Sequence, residues 1–265
     1  MNSKIFDNWL NVSSKSFNKG INFGHKSIRL AKTTFWHPLL SHAFLGIRDQ
    51  VSILTTQQTL KALVRAFHVM ALIVKKQGHV LIINTNPEFF RLCNNLTHIT
   101  LKEPDNYETA HAFGSNSKYR RLKTPLVSYV SYKWVGGTLT NWKQVSKSVL
   151  TFAKFSERCE RFLIKKTLDF PKYTKVKKCF QGLLYRENNK LFLAFRRKPD
   201  VVFLINPNEN QSVLTEASRL QIPVIAFIES NTNPKDITYP IPVNNYSIKF
   251  IYFCLKKIIK MTTIH

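Results

Sequence analysis

The segment "SKYRRLK" places Lys118, Arg120, Arg121 and Lys123 within six loop residues. Clustered cations of this kind suit phosphate oxygens, which Arg grips through a planar fork and Lys meets as a point charge. Further along, Lys133 opens the stretch "KWVGGTLTNW", and Lys143, Lys147, Lys154, Arg158, Arg161 and Lys165 then recur at helical spacing. The whole chain has the same bias: 40 Lys and Arg against 15 Asp and Glu, a formal net charge of +25 and a pI near 10.1. A self-repelling excess of that size points to an anionic partner that neutralises it, nucleic acid first. For any single helical lysine, a solvated face is the plainer account.

Catalytic chemistry finds little to work with. His37 and His42 stand five apart beside Pro38, and no pair has the HExxH spacing of a metal site. His25, next to Lys26 in "GINFGHKSIRL" and near Arg29, has no carboxylate close in sequence, so it reads as structural or RNA-contacting rather than as a base. Glu216, Glu229 and Asp236 are the few acids near the C-terminal strands, and they read as caps or ion pairs. The eight glycines form neither GxGxxG nor GxxxxGK, which argues against a nucleotide enzyme. Cys93, Cys159, Cys179 and Cys254 are scattered, as reduced and mostly buried thiols in a reducing interior would be. No metal, cofactor or small-molecule substrate is expected.

Elements able to position the cations follow from periodicity. "HVLIINT", "PLVSYVS", "DVVFLIN" and "PVIAFIES" are apolar on both alternations, as strands covered on both faces are. Helical patterns lie between and before them. "QQTLKALVRAFHVMALIVKKQG" has Gly78 as its stop, and "NQSVLTEASRLQ" carries Val213, Leu214, Ala217 and Leu220 on one stripe. The class is α/β with a parallel sheet. "FLGIRDQVSILT" is expected as an outlying strand or hairpin, and "YSIKFIYFCLKKIIK" as a basic amphipathic helix. After the double glycine, Val145, Val149, Phe152, Cys159 and Phe162 make a near-heptad stripe, with Thr140 or Asn141 as N-cap. "LDFPKY" breaks that helix at Pro171, and "KVKKCFQGLLY" returns antiparallel, giving an inserted, protruding helical hairpin.

The expected organisation is an N-terminal extension over 1–19, one α/β domain from 20–142 and 198–260, an inserted hairpin and return segment over 143–197, and a tail over 261–265. No apolar run reaches the roughly eighteen residues that span a bilayer. The first twenty residues lack the apolar core of a secretory signal and contain no arginine, which makes them a poor transit peptide. Competing classes are a peripheral membrane protein, using Ile248, Ile251, Phe253, Leu255 and Ile258 on anionic lipid, and an organellar RNA-processing enzyme, which needs a metal or acid cluster.

Taken in order, "GINFGH", "FLGIRDQVSIL", "KWVGGTLTNW", "KPDVVFLIN", "EASRLQIPVIAFIESNTNP" and "YPIPVNN" form a recognisable set. From about Gly20 to about Lys257 the chain resembles the second protein of the bacterial-type small ribosomal subunit, and its Phe, Ile, Lys and Asn content resembles mitochondrial members of plant type, with a plastid member as alternative. The resemblance implies a flavodoxin-like sheet with helices on both faces and no catalysis. It implies binding to small-subunit ribosomal RNA and neighbouring ribosomal proteins at the head–body junction, in a mitochondrial matrix, or in a plastid stroma under the alternative.

On that reading the RNA contacts are His25, Lys26, Arg29, Arg48, Lys118, Arg120, Arg121, Lys133, Lys143 and Lys147. Trp134, Gly136, Gly137, Thr140 and Asn141 form the family's structural turn, with the glycines packed against RNA or against "GINFGH". Departures are also visible: Thr85, Asn86 and Pro87 replace a basic turn, Asn206 and Asn208 replace aspartates, and Glu229 replaces the aspartate of a "DTN" element. The 118–123 cluster lies in a longer segment than usual and is expected to supply replacement phosphate contacts.

Overall fold

The computed structural model describes residues 23–26, 41–49, 51–86, 89, 127–166, 170–187, 190–193, 198–229, 232–245 and 247–263. In chain order, β1 (Phe23–Lys26), β2 (Phe44–Arg48) and β3 (Val51–Leu54) form a small antiparallel sheet in the order β1-β3-β2. β2 and β3 are a hairpin, with Asp49 in its turn at φ 50, a left-handed state that Asp tolerates better than most side chains. α1 (Thr56–Lys75) follows, and buries Thr59, Leu63, Ala66, Met70 and Val74, three or four residues apart on one stripe. Its left-handed stop is Gln77, at φ 56, one residue before Gly78, whose N–H donates to the Ile73 carbonyl at 2.8 Å.

Next come β4 (Val80–Asn84), β5 (Val127–Ser131), α2 (Trp142–Lys166), α3 (Pro171–Phe180), a 3-10 turn (Gln181–Leu183) and the antiparallel hairpin of β6 (Leu184–Glu187) and β7 (Lys190–Leu193). The chain continues through β8 (Val201–Leu204), α4 (Gln211–Arg219), β9 (Val224–Ile228), β10 (Tyr239–Pro242) and α5 (Ile248–Thr263). Five strands pair in parallel in the order β10-β9-β8-β4-β5. Numbered along the chain, that order is 2-1-3-4-5, the flavodoxin-like winding, with its reversal between β4 and β8.

Every residue of β4, β8 and β9 is buried, because helices cover both faces. On one face Val80, Ile82, Phe203 and Phe227 pack against α1 and against Phe250, Ile251, Cys254 and Leu255 of α5. Phe227 stands edge-on to Phe203 at 5.1 Å and lies 5.4 Å from Phe250. On the other face Leu81, Ile83, Val202 and Leu204 meet Val149 of α2 and Val213, Leu214 and Ala217 of α4. The lipid-binding alternative loses its apolar stripe here, since Ile251, Leu255 and Ile258 of α5 are all buried in the core and Ile248 is left exposed.

Two features were not foreseen. β10 contains Pro240 and Pro242, which strand patterns exclude from sheet interiors, and it lies at the sheet edge, where proline is tolerated. The inward hydrogen bond from Val243 N–H to the Ile228 carbonyl, 3.0 Å, fixes the alternation, so positions 240 and 242 direct their ring nitrogens away from β9. The segment read as a simple return contains the β6–β7 hairpin.

α2 and α3 touch through aromatic rings, Phe152 lying 5.8 Å from Tyr173 and 5.4 Å from Phe180. Their joint, 167–169, falls outside the described residues. Gly182 then brings the chain against β5: a Cβ there would stand 1.8 Å from the Tyr129 carbonyl oxygen. No other residue fits that approach without moving backbone.

Candidate nucleic-acid interface

β5 ends in a tight reversal. Tyr132 has φ 82 and Lys133 N–H donates to the Ser131 carbonyl at 3.1 Å, the geometry of a γ-turn in its strained, positive-φ form. The reversal separates two neighbours completely: Lys133 is exposed and Trp134 is buried in the core. Lys178 of α3 places its ammonium 5.4 Å from the centre of the Tyr132 ring, so the turn is held from the helix side as well.

The glycine turn that follows closes on a carboxylate. Glu216 of α4 is buried, and its Oε1 accepts from the Trp134 indole N–H at 3.1 Å and from Gly137 N–H at 2.8 Å. Its Oε2 accepts from Leu139 N–H at 2.9 Å and Thr140 N–H at 3.3 Å. Four donors satisfy a charge that would otherwise be costly to bury. The sequence reading of Glu216 as a helix cap or ion pair is therefore corrected: it is the post around which the turn is wound. Neither RNA nor "GINFGH" is needed to explain the turn's shape.

The two glycines differ. Gly137 is at φ 84, which side chains rarely adopt, whereas a Cβ on Gly136 would meet nothing within 4 Å. The turn then delivers the helix: Asn141 N–H donates to the Gly137 carbonyl at 2.7 Å, and the Asn141 carbonyl accepts from Gln144 and Val145, each at 3.1 Å. Asn141 thus occupies the position flanking α2, and Thr140 lies one residue further out.

Lys143 and Lys147, one helical turn apart on α2, are both exposed, as is Lys133 at the foot of the turn. These three are the predicted contacts that the structure gathers around one feature. Arg48 is also exposed but stands on the antiparallel sheet, its Nε 3.8 Å from the neighbouring Asp49 carboxylate. His25 and Lys26 are placed by backbone only, in β1 paired with β3. Arg29, Lys118, Arg120 and Arg121 lie outside the described residues. Sequence reasoning missed α3 as a cation source: Lys172, Lys175 and Lys177 are exposed there, and the run from Lys175 to Lys178 was the available signal.

The crevice between β4 and β8, where this winding commonly holds a ligand, is bridged by side chains. Asn210 donates to Thr85 Oγ1 and to the Asn206 carbonyl, both at 2.8 Å, and Thr85 donates to Glu209 at 3.2 Å. Among the described residues no group of three or more His, Cys, Asp or Glu could hold a metal ion, and no helix is long and apolar enough to cross a membrane.

Fold and surface together define a strongly basic, flavodoxin-like α/β protein with exposed cations beside the glycine turn and along α2 and α3. The family described as ribosomal protein S2 matches residues 120–263. Small ribosomal subunit protein uS2m of Marchantia polymorpha is 32% identical over 216 residues, covering 79% of this chain and 76% of that protein. Proteins named uS2 from Acidiphilium cryptum and Rickettsia bellii are 30% and 29% identical, each over 88% of this chain and over 77% and 69% of their own lengths. The chain belongs to the ribosomal protein S2 family, of bacterial type and resembling the plant mitochondrial members.

Proposed function

We propose that this chain is a structural protein of the small subunit of a mitochondrial ribosome. It holds small-subunit ribosomal RNA and neighbouring ribosomal proteins at the junction of head and body, and acts by binding rather than catalysis. The observation that carries the reading is the grouping of exposed Lys133, Lys143 and Lys147 around a turn fixed from inside by Glu216. A rigid turn sets the register of phosphate contacts without spending binding energy on ordering it. Residues 143–197 act as an insertion in the α/β domain that extends this basic surface, and Lys118, Arg120 and Arg121 supply replacement phosphate contacts. The mitochondrial assignment is supported by the Marchantia polymorpha relative, although bacterial relatives are similarly close.

Gradient sedimentation of a mitochondrial matrix extract, with magnesium and after its chelation, tests the proposal. The protein should travel with small-subunit RNA and leave only when the particle falls apart. Remaining at the top of the gradient in both conditions would overturn it.

A further inference from the structure

Phe203, Phe227 and Phe250 are rings buried in the core, but a group on α2 and α3 is different. Phe155 is 55% exposed and Phe170 48% exposed, both on or beside the most basic part of the protein. Between Trp142 and Phe180 the sequence carries eleven Lys and Arg against three Asp and Glu. Phe155 is held by two neighbours, with ring centres 6.3 Å away at Phe152 and 6.4 Å away at Tyr173. Neither contact is a parallel stack: the planes meet at 46° and 66°, and more than half of Phe155 stays open to solvent. Exposed Lys154 and Arg158 bracket Phe155 along α2, and Lys177 holds its ammonium 6.0 Å from the Tyr173 ring centre.

A membrane would need a continuous apolar strip, whereas exposed Phe155, Phe170 and Val176 are separated by lysines. A flat ring fixed in position amid phosphate-binding cations is what unpaired nucleic acid recognises, because every base has a stackable face. We propose that the α2–α3 surface around Phe155 is a stacking platform for an unpaired base of RNA, with Lys154, Arg158 and Lys177 holding the adjoining phosphates. This rests on the reading of the chain as an RNA-binding ribosomal protein and specifies the form of RNA that one surface takes: single-stranded rather than helical.

The test uses the full chain with short oligouridine, oligoadenosine and duplex RNA, followed by fluorescence anisotropy at fixed salt. Phe155→Leu, which keeps an apolar side chain and removes the flat ring, should weaken single-strand binding about ten-fold and leave duplex binding unchanged. Phe155→Trp should retain binding, and its added indole should be quenched by the bound base. Equal single-strand affinity in Phe155→Leu and the parent overturns the platform, as does an equal loss for duplex. A self-associated parent that becomes monomeric in Phe155→Leu would assign the ring to a second copy and also overturn it. Failure of the parent to bind any RNA would instead remove the underlying ribosomal reading.

Discussion

Trp134 and Glu216 are separated by 82 positions in the chain, yet the indole N–H of one donates to the carboxylate of the other at 3.1 Å inside the protein. That bond joins the turn after β5 to α4 on the same face of the sheet. The same carboxylate takes three backbone N–H groups of the turn, so its loss would unfasten the turn rather than remove one contact.

Glu216→Gln keeps the shape but puts an NH2 group against N–H donors. The expected cost is about 2 to 4 kcal/mol, since charge-assisted bonds are exchanged for a clash of donors. Urea unfolding of the two proteins measures it, and a change below about 0.5 kcal/mol would contradict the post-like role of Glu216.

The adjacent glycines should part company under the same measurement. Gly137→Ala forces a side chain into the left-handed region and should cost about 1 to 2 kcal/mol. Gly136→Ala, whose methyl has open space, should leave stability unchanged or raise it slightly.

Gly182→Ala places a methyl into the backbone of β5 and should be the worst of these alanine substitutions, at about 3 kcal/mol. Its damage should be local at first. Limited proteolysis ought to cut near α3 and the β6–β7 hairpin well before the parallel sheet opens.

Salt should control RNA affinity. If about eight phosphates are neutralised, binding falls roughly a thousand-fold or more between 50 and 200 mM salt. Lys143→Glu with Lys147→Glu should flatten the log–log salt slope by about 0.7 to 0.9 per lysine. Circular dichroism should be unchanged, because both side chains are exposed.

Thiol labelling reads the core independently. Burial pushes the Cys254 thiol well above its ordinary range, while Cys179 is raised less, partial burial being opposed by the Lys133 charge. The thiolate is the reactive form, so at about pH 8 native protein should label at Cys179 well ahead of Cys254, with both rates rising as pH increases. Comparable labelling of Cys254 in native buffer would mean that α5 is not docked.

Four of the five parallel strands were legible because runs such as "VLII" and "VIAFI" are apolar at every position, as strands of a sheet covered on both sides are. The fifth, "YPIP", was hidden by its prolines, whose meaning depends on edge position and hence on topology. Glu216 was misread because an acid on an amphipathic helix is normally solvated. Its spacing carried a warning, three residues after Val213 and four before Leu220, within the apolar stripe itself. Lys133, Lys143 and Lys147 were legible as cations. Their shared setting was not, because it depends on a γ-turn at Tyr132 that no local sequence preference announces.

The outward-turned prolines of β10 bear on how copies of the chain can meet. The flank of a sheet is where copies template one another into fibres. Along Tyr239–Pro242 that flank has no N–H to offer, because both outward positions lack one. Strand addition there finds carbonyls but no donors, and the Pro242 carbonyl is already taken by the Thr59 hydroxyl of α1; the missing donors are covalent, so neither salt nor pH restores them.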